Sequence, residues 1–345
     1  MKYEVTIGIP VYKAVDYIEK TMESALNQTF GSIEYLVVDD CGNDGTIKVV
    51  ERFQKEHPRG KDICILYNKQ NLGVGKTRNI ILEHAKGEYL YFLDSDDIME
   101  YDAIEKMMNA AHKYQAEVVY GSWIRVDNVH HSPAKHNHYP DLQLLRPDEL
   151  AMYAFKNYSS FRISVCNALF SLNLIRSNRL RFIDTIYWED LAFTYDLVPK
   201  VSKAVLLSDI TYHYLCRPDS LSQYQDRDKL NMEEILRNVS TIEYLKTGCR
   251  QYEDKYYFPY LCYNLEVNSF YIVCYVLKYR YKIQQSISYK ELRDYMRFPV
   301  GFSKLLLFKN KRLQCLNLWI MAHLPSSLFI CIVRISLQLL RLRRL

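Results

Sequence analysis

Residues 88–97 read EYLYFLDSDD: an apolar run from Tyr89 to Leu93 that stops on Asp94, Ser95, Asp96 and Asp97. Tyr89, Tyr91 and Leu93 alternate with the period of a strand. Three carboxyls at a strand end repel one another and lose solvation. A fold tolerates that where a cation or polar ligand sits. Carboxylate oxygens are hard donors suited to Mg2+ or Mn2+, so the stretch points to a divalent ion and, with it, to phosphates. A local reading competes: aspartates after a strand also cap the following helix, here expected over Asp102 to Tyr114.

Upstream, the pattern alternates between strand and helix. Val5, Ile7 and Ile9 predict a first strand up to Pro10; Ile18, Met22, Ala25, Leu26 and Thr29 predict a helix. Strands follow over Glu34–Val38 and Ile63–Tyr67, helices over Thr46–Lys55 and Gly73–Ala85, and another strand over Glu117–Val126. Such alternation implies an α/β fold, a mostly parallel sheet with right-handed crossovers. Ligands gather at the carboxyl ends of such strands. Pro10–Tyr12, Asp39–Asp40 and Asp94–Asp97 all fall there.

At 345 residues and 49% hydrophobic, the chain can bury one large core plus an appendage. MKYEVTIGIP enters a strand directly, without the pattern of a secretory signal, and the nine cysteines are scattered singly with no CxxC pair. Both features fit a reducing cytosol. The net charge of +5 is unevenly placed: residues 301–345 hold eight Lys/Arg and no Asp/Glu, leaving 37 basic against 40 acidic side chains elsewhere. That excludes a general nucleic-acid binder and points to a local contact with an anionic surface. His130, His131, His136 and His138 fall in a patternless stretch that reads as solvated loop rather than a metal site.

VTIGIPVYKAVDYIEKTMESALNQTF, EYLVVDDCGNDGT, NLGVGKTRNIILEHAKGEYLYFLDSDD, WEDLAFTYDLVPKV and YHYLCRPDSLS occur in this order between residues 3 and 223. Together they resemble the family 2 glycosyltransferases, inverting enzymes with a GT-A fold. The resemblance implies a nucleotide-sugar donor, a UDP-sugar by preference, and a glycan or lipid-linked acceptor. It implies Mn2+ or Mg2+ held by Asp96 with Asp94 in support, and Asp190 of the Glu189–Asp190 pair as the base. Pro10, Tyr12, Asp40, Arg78, Asp94 and Arg217 would contact the donor.

Each residue has a plainer role beside that one. Tyr12 can stack a base or pack in a core. Asp40 can accept from a base N–H or ribose hydroxyl; it and Asp39 can instead hold the CGNDG turn. Arg78 and Lys76, in a glycine-containing turn, can face a diphosphate or form surface salt bridges. The family usually has a small residue where Lys76 stands. Asp97 can orient a sugar hydroxyl or cap a helix, and the Glu189–Asp190 pair can cap its helix. His213 reads as structural, Ser220 and Ser222 as turn residues.

The expected domains are a catalytic region over 1–225, a helical region over 226–300 and a basic tail over 301–345. In the tail, Leu328–Val333 is far too short to span a bilayer. Arg334, Gln338 and Arg341 recur at helical spacing opposite Ile330, Val333, Leu337 and Leu340. That is a basic amphipathic helix, able to lie on the inner face of a cell membrane or to pack on the protein. A nucleotidyltransferase acting on sugar phosphates, or an inactive nucleotide-sugar-binding protein, is the alternative function.

Overall fold

The computed structural model describes residues 3–127, 132–157, 161, 164–185, 188–217 and 229–342. His130, His131, Ser220 and Ser222 lie outside them, as do the side chains of Leu340 and Arg341. The chain divides into two units, residues 1–150 with 163–220, and residues 151–162 with 221–345.

The first unit is built on one sheet. Its strands are β1 (Val5–Val11), β2 (Ile33–Asp39), β3 (Ile63–Tyr67), β4 (Tyr89–Phe92), β5 (Ile98–Met99), β6 (Val118–Asp127), β7 (Ser132–Asn137), β8 (Leu142–Leu144), β9 (Ala168–Ser171) and β10 (Ala204–Cys216). Their order is β3-β2-β1-β4-β9-β6-β10-β5, with β7 on β6 and β8 on β10. The block β3-β2-β1-β4 is parallel, as is β6 with β10; β9 runs antiparallel between β4 and β6. The sheet is therefore mixed beyond β4, where short strands carried no clear periodicity. Helices α1 (Ile18–Leu26), α2 (Thr46–Glu56), α3 (Val74–His84) and α4 (Ala103–Tyr114) fall in the segments expected. Downstream come α5 (Glu149–Lys156), most of it in the second unit, then α6 (Leu172–Ser177) and α7 (Glu189–Leu197).

Burial explains the strand sequences. Every residue of β1 and β4 is buried, because flanking helices leave neither side to water. Glu34 in β2 is buried too, and its Oε2 accepts from the Thr6 hydroxyl at 2.8 Å and the Lys86 amide at 2.9 Å. On α1, Ile18, Thr21, Met22, Ala25 and Leu26 form the buried stripe of an amphipathic helix.

A polar knot joins the two halves of the sheet. The Asn167 amide donates to the carbonyls of Gly121, at 2.6 Å, and Ser122, at 3.0 Å. Its Oδ1 accepts from the hydroxyls of Thr211, at 2.6 Å, and Tyr91, at 3.2 Å. β4, β6 and β10 thus meet on one side chain. Gly121 makes the knot possible, since a Cβ there would stand 1.9 Å from Thr211 Oγ1.

The second unit contains α8 (Met232–Gly248), α9 (Phe258–Lys278), α10 (Tyr289–Asp294), α11 (Phe302–Leu306), α12 (Arg312–His323) and α13 (Ser326–Leu342). Lys246 of α8 is buried and donates to Glu266 of α9 at 2.8 Å and to the carbonyls of Tyr295 and Arg297. Burial pushes the Glu266 carboxyl up to about 8 against the pull of Lys246. α13 packs on α9 and α10, and Phe329, Ile330 and Val333 are buried in that contact. Part of the tail's apolar stripe is therefore covered by protein. No described helix is long and apolar enough to cross a membrane.

Gly121→Ala is expected to force Thr211 out of the knot and to lower the stability of the first unit by about 1–3 kcal/mol. Urea unfolding followed by near-ultraviolet circular dichroism measures this; an unchanged midpoint contradicts the packing.

Candidate active site

The carboxyl ends of β1, β2 and β4 lie side by side because these strands are neighbours in register, Val11 against Asp39 and Gly8 against Phe92. Pro10 lies within β1, and Tyr12 follows it with its ring 41% exposed. Lys13 stands over that ring at 5.4 Å.

Asp40 follows β2 and is buried. Its Oδ1 accepts from Asn68 Nδ2 and the Leu72 amide, each at 2.8 Å, and its Oδ2 from the Gly73 amide at 2.9 Å. This carboxylate therefore fixes the turn into α3, where Gly73 adopts φ 85°. The CGNDG turn is held by Asp39, which accepts from the Gly42 amide, and by Asp44, which accepts from Thr46 and the Val15 amide. Lys76 pairs with Asp184 at 2.8 Å on the surface.

Arg78, on the second turn of α3, has a side chain only 4% exposed. Its Nη1 donates to Glu189 Oε1 at 2.9 Å and to Asp190 Oδ1 at 2.6 Å, and its Nη2 to Asp94 Oδ1 at 2.9 Å. The guanidinium lies beside two rings, Phe182 at 5.6 Å and Phe92 at 6.0 Å. Burial opposes its charge, but Asp190 and Asp94 hold its pKa well above the ordinary value. One cation thus joins α3, the end of β4 and the start of α7, across 112 residues of sequence.

The other aspartates of the acidic stretch separate by role. Asp96 accepts from Arg217 Nε, and the Arg217 guanidinium lies 5.3 Å from the Tyr17 ring. Asp97 is buried, and its carboxyl accepts from the Tyr212 hydroxyl at 2.5 Å and the Leu215 amide at 2.8 Å. The Thr21 hydroxyl reaches the carbonyls of Ser95 and Asp97. Asp97 is accordingly a latch between this loop and β10, not the cap of α4. His213 pairs with Glu100 at 2.6 Å, in keeping with a structural role.

Desolvation dominates the electrostatics. Burial raises the carboxyls of Asp96, Asp97 and Asp190, and pushes Glu189 up to about 7, helped by its neighbour Asp190. Arg78 opposes the shift at Asp190 and Arg217 that at Asp96. Two guanidiniums thus pair with four of the five clustered carboxyls, and Asp97 is held by Tyr212 and Leu215 instead.

Residues 6–177 match the family model described as Glycosyl transferase family 2. The chain belongs to that family. Over 104 residues it is 40% identical to the putative teichuronic acid biosynthesis glycosyltransferase TuaG of Bacillus subtilis, covering 30% of this chain and 40% of that protein. The chain thus spans under half of that relative's length. Among solved structures, S. aureus TarS 1-349 in complex with UDP-GlcNAc is similar with a TM-score of 0.54 at 18% identity, over 81% of this chain and 88% of that one. The mannosyltransferase PcManGT from Pyrobaculum calidifontis, in complex with GDP-Man and Mn2+, is similar with a TM-score of 0.55 at 15% identity, over 95% of this chain and 87% of that one. The fold is GT-A, a sheet with a parallel block flanked by helices.

The acidic loop of this family 2 chain fits a hard divalent ion. Asp94 and Asp96 supply carboxylate oxygens just beyond the end of β4. Among the described residues no group of three His, Cys, Asp or Glu stands together in metal-binding geometry. Two carboxylates, with water and substrate phosphates completing the shell, are the usual protein share for Mg2+. Tyr17, Thr21 and Tyr212, which hold these groups, were not read as site residues. Thr21 reads as a helix-face position and Tyr212 as a strand aromatic, so neither has a one-dimensional signature.

Arg78→Met removes the charge shared by three carboxylates, and is expected to cost about 3–5 kcal/mol near pH 8. In that variant the folded-state pKa values of Glu189 and Asp190 rise further above their unfolded values. The penalty is therefore present at high pH and fades as pH falls towards the unfolded values. Urea unfolding at pH 8 and pH 5 should show the smaller deficit at pH 5; equal deficits contradict the role.

Proposed function

We propose that the chain is an inverting glycosyltransferase of polysaccharide assembly, moving a sugar from a nucleotide-sugar, preferably a UDP-sugar, to a hydroxyl of a glycan or lipid-linked acceptor. The observation that carries this reading is the Arg78 bridge, which brings Asp190 to the donor-side carboxylate Asp94. A displacement at an anomeric carbon needs a base on one side and charge compensation for a leaving phosphate on the other. TarS with UDP-GlcNAc and PcManGT with GDP-Man support a nucleotide-sugar donor, and the likeness to TuaG, a putative teichuronic acid biosynthesis glycosyltransferase, supports a role in polysaccharide assembly.

In this reading Tyr12 stacks the base, Pro10 shapes the floor beneath it, and Asp40 holds the turn that borders the nucleotide. Asp190 accepts the proton of the acceptor hydroxyl as that oxygen bonds to the anomeric carbon. The bond from this carbon to the phosphate oxygen breaks, and its electron pair leaves with the nucleoside diphosphate. Attack opposite the leaving group inverts the configuration. Burial makes Asp190 a stronger base than an exposed aspartate, and Arg78 opposes that rise. Mn2+ or Mg2+ at Asp96 and Asp94 would neutralise charge on the departing diphosphate. Arg217, released from Asp96, would pair with the phosphate oxygens. The catalytic region is assigned to 1–225 and the membrane-facing tail to 301–345, at the cytoplasmic face of a cell membrane.

Asp190→Asn is expected to lower kcat by at least about 10²-fold, the usual share of a general base, with the Kd for UDP unchanged. Transfer near the wild-type rate removes Asp190 as base. As the base, Asp190 should give kcat/KM an acidic limb, placed above the usual carboxylate range by its burial. Glu189→Gln removes a like charge, so it should move that limb to lower pH. EDTA should abolish transfer and added Mn2+ restore it; activity that survives chelation sinks the metal assignment.

A further inference from the structure

Nearly every hydrophobic side chain of α12, RLQCLNLWIMAH, escapes full burial; Cys315 alone is buried. A helix that is apolar all round belongs in a core or in lipid. Here the side opposite Cys315 carries Leu313, 70% exposed, and Ile320, 45% exposed. α11 continues the surface: Phe302 lies 4.9 Å from the Trp319 ring, and Leu306 and Leu307 are 45% and 75% exposed.

The free charge beside this surface is basic: Glu253 reaches α11, but it is paired with Lys304 at 2.9 Å. Lys309 and Arg312 are exposed, and residues 301–345 contain no Asp or Glu. Arg312 opens α12, and no acidic residue stands in its first turn. A cation there opposes the helix dipole, and an external anion relieves it. α13 offers less: Phe329, Ile330 and Val333 are buried, and Arg334 donates to the Tyr289 hydroxyl at 3.0 Å.

We propose that α11, α12 and the turn between them form the membrane-docking surface, with Leu307, Leu313 and Ile320 entering the lipid and Lys309 and Arg312 meeting anionic headgroups. Exposed apolar side chains rimmed by Lys309 and Arg312, with the nearby Glu253 already paired to Lys304, suit a monotopic contact. The inference rests on the membrane reading above and moves the lipid contact from α13 to α11–α12. A protein partner would need acidic groups against Lys309 and Arg312; an anionic bilayer supplies them together with an apolar interior.

The test is co-sedimentation of the full chain with vesicles of phosphatidylglycerol and phosphatidylcholine, against vesicles of phosphatidylcholine alone. The intact chain is expected to bind the anionic vesicles and to be released by salt. Leu307→Asp with Leu313→Asp should cut the partition coefficient at least about tenfold, given the free energy of burying each side chain. Lys309→Glu with Arg312→Glu should remove the preference for anionic vesicles. Circular dichroism and UDP affinity should not move in either pair, since both are exposed. Unchanged binding of both pairs, with the intact chain bound, overturns the surface assignment and leaves the membrane reading standing. An intact chain that ignores both vesicles overturns both. So does a concentration-dependent dimer dissolved by the leucine substitutions without any vesicle binding.

Discussion

Arg78 is almost fully desolvated and divides its guanidinium among Asp94, Glu189 and Asp190. Burial opposes the charges of Glu189 and Asp190, which open α7, while Asp94 follows β4. A lysine could not serve them all: it offers one point charge, whereas the planar fork presents donors in fixed directions. The neighbouring rings of Phe182 and Phe92 complete the environment, since a guanidinium is weakly hydrated and stacks on aromatic faces. The rest of the site follows from this. α7 cannot leave the β4 end without stranding a buried cation, so the Glu189–Asp190 pair stays there with its pKa values raised by burial.

The acidic loop is anchored a second time through β10. Asp97 accepts from Tyr212 and Leu215, and Asp96 from Arg217, so three residues at the end of one strand hold two consecutive carboxyls. The knot at Asn167 fixes β10 to β6 and β4 below. Strand order, the knot and the latch form one mechanical path from core to site. This path holds the clustered carboxyls together at the strand ends.

The second unit has a different logic. Its interior tolerates a buried Lys246–Glu266 pair, while its surface leaves the apolar side chains of α11 and α12 in the open. A soluble helix normally buries its largest side chains first. The reverse arrangement in α12, beside a run of sequence without acidic groups, is the physical ground for assigning that surface to lipid.

Much of this was legible in one dimension. The parallel block was, because buried strands leave uninterrupted runs such as VTIGIPV and YLYF, and helices between them repeat at 3.6 residues. So were the acidic strand ends, since hydrophobic runs that stop on aspartate are conspicuous. The antiparallel strands beyond β4 were not, being short and set by pairing with distant segments. Nor was the division of labour among the aspartates. Sequence alone determined that carboxyls and an arginine would gather at the strand ends. Only the tertiary structure decided that Arg78 binds three of them, that Asp97 is a latch, that Asp40 holds a turn, and that α13 turns part of its apolar stripe inward. The reason is common to all four. Partners 16 to 118 residues apart are brought together by strand order and packing, and no local pattern encodes which of several chemically equivalent carboxylates will end up nearest a given cation.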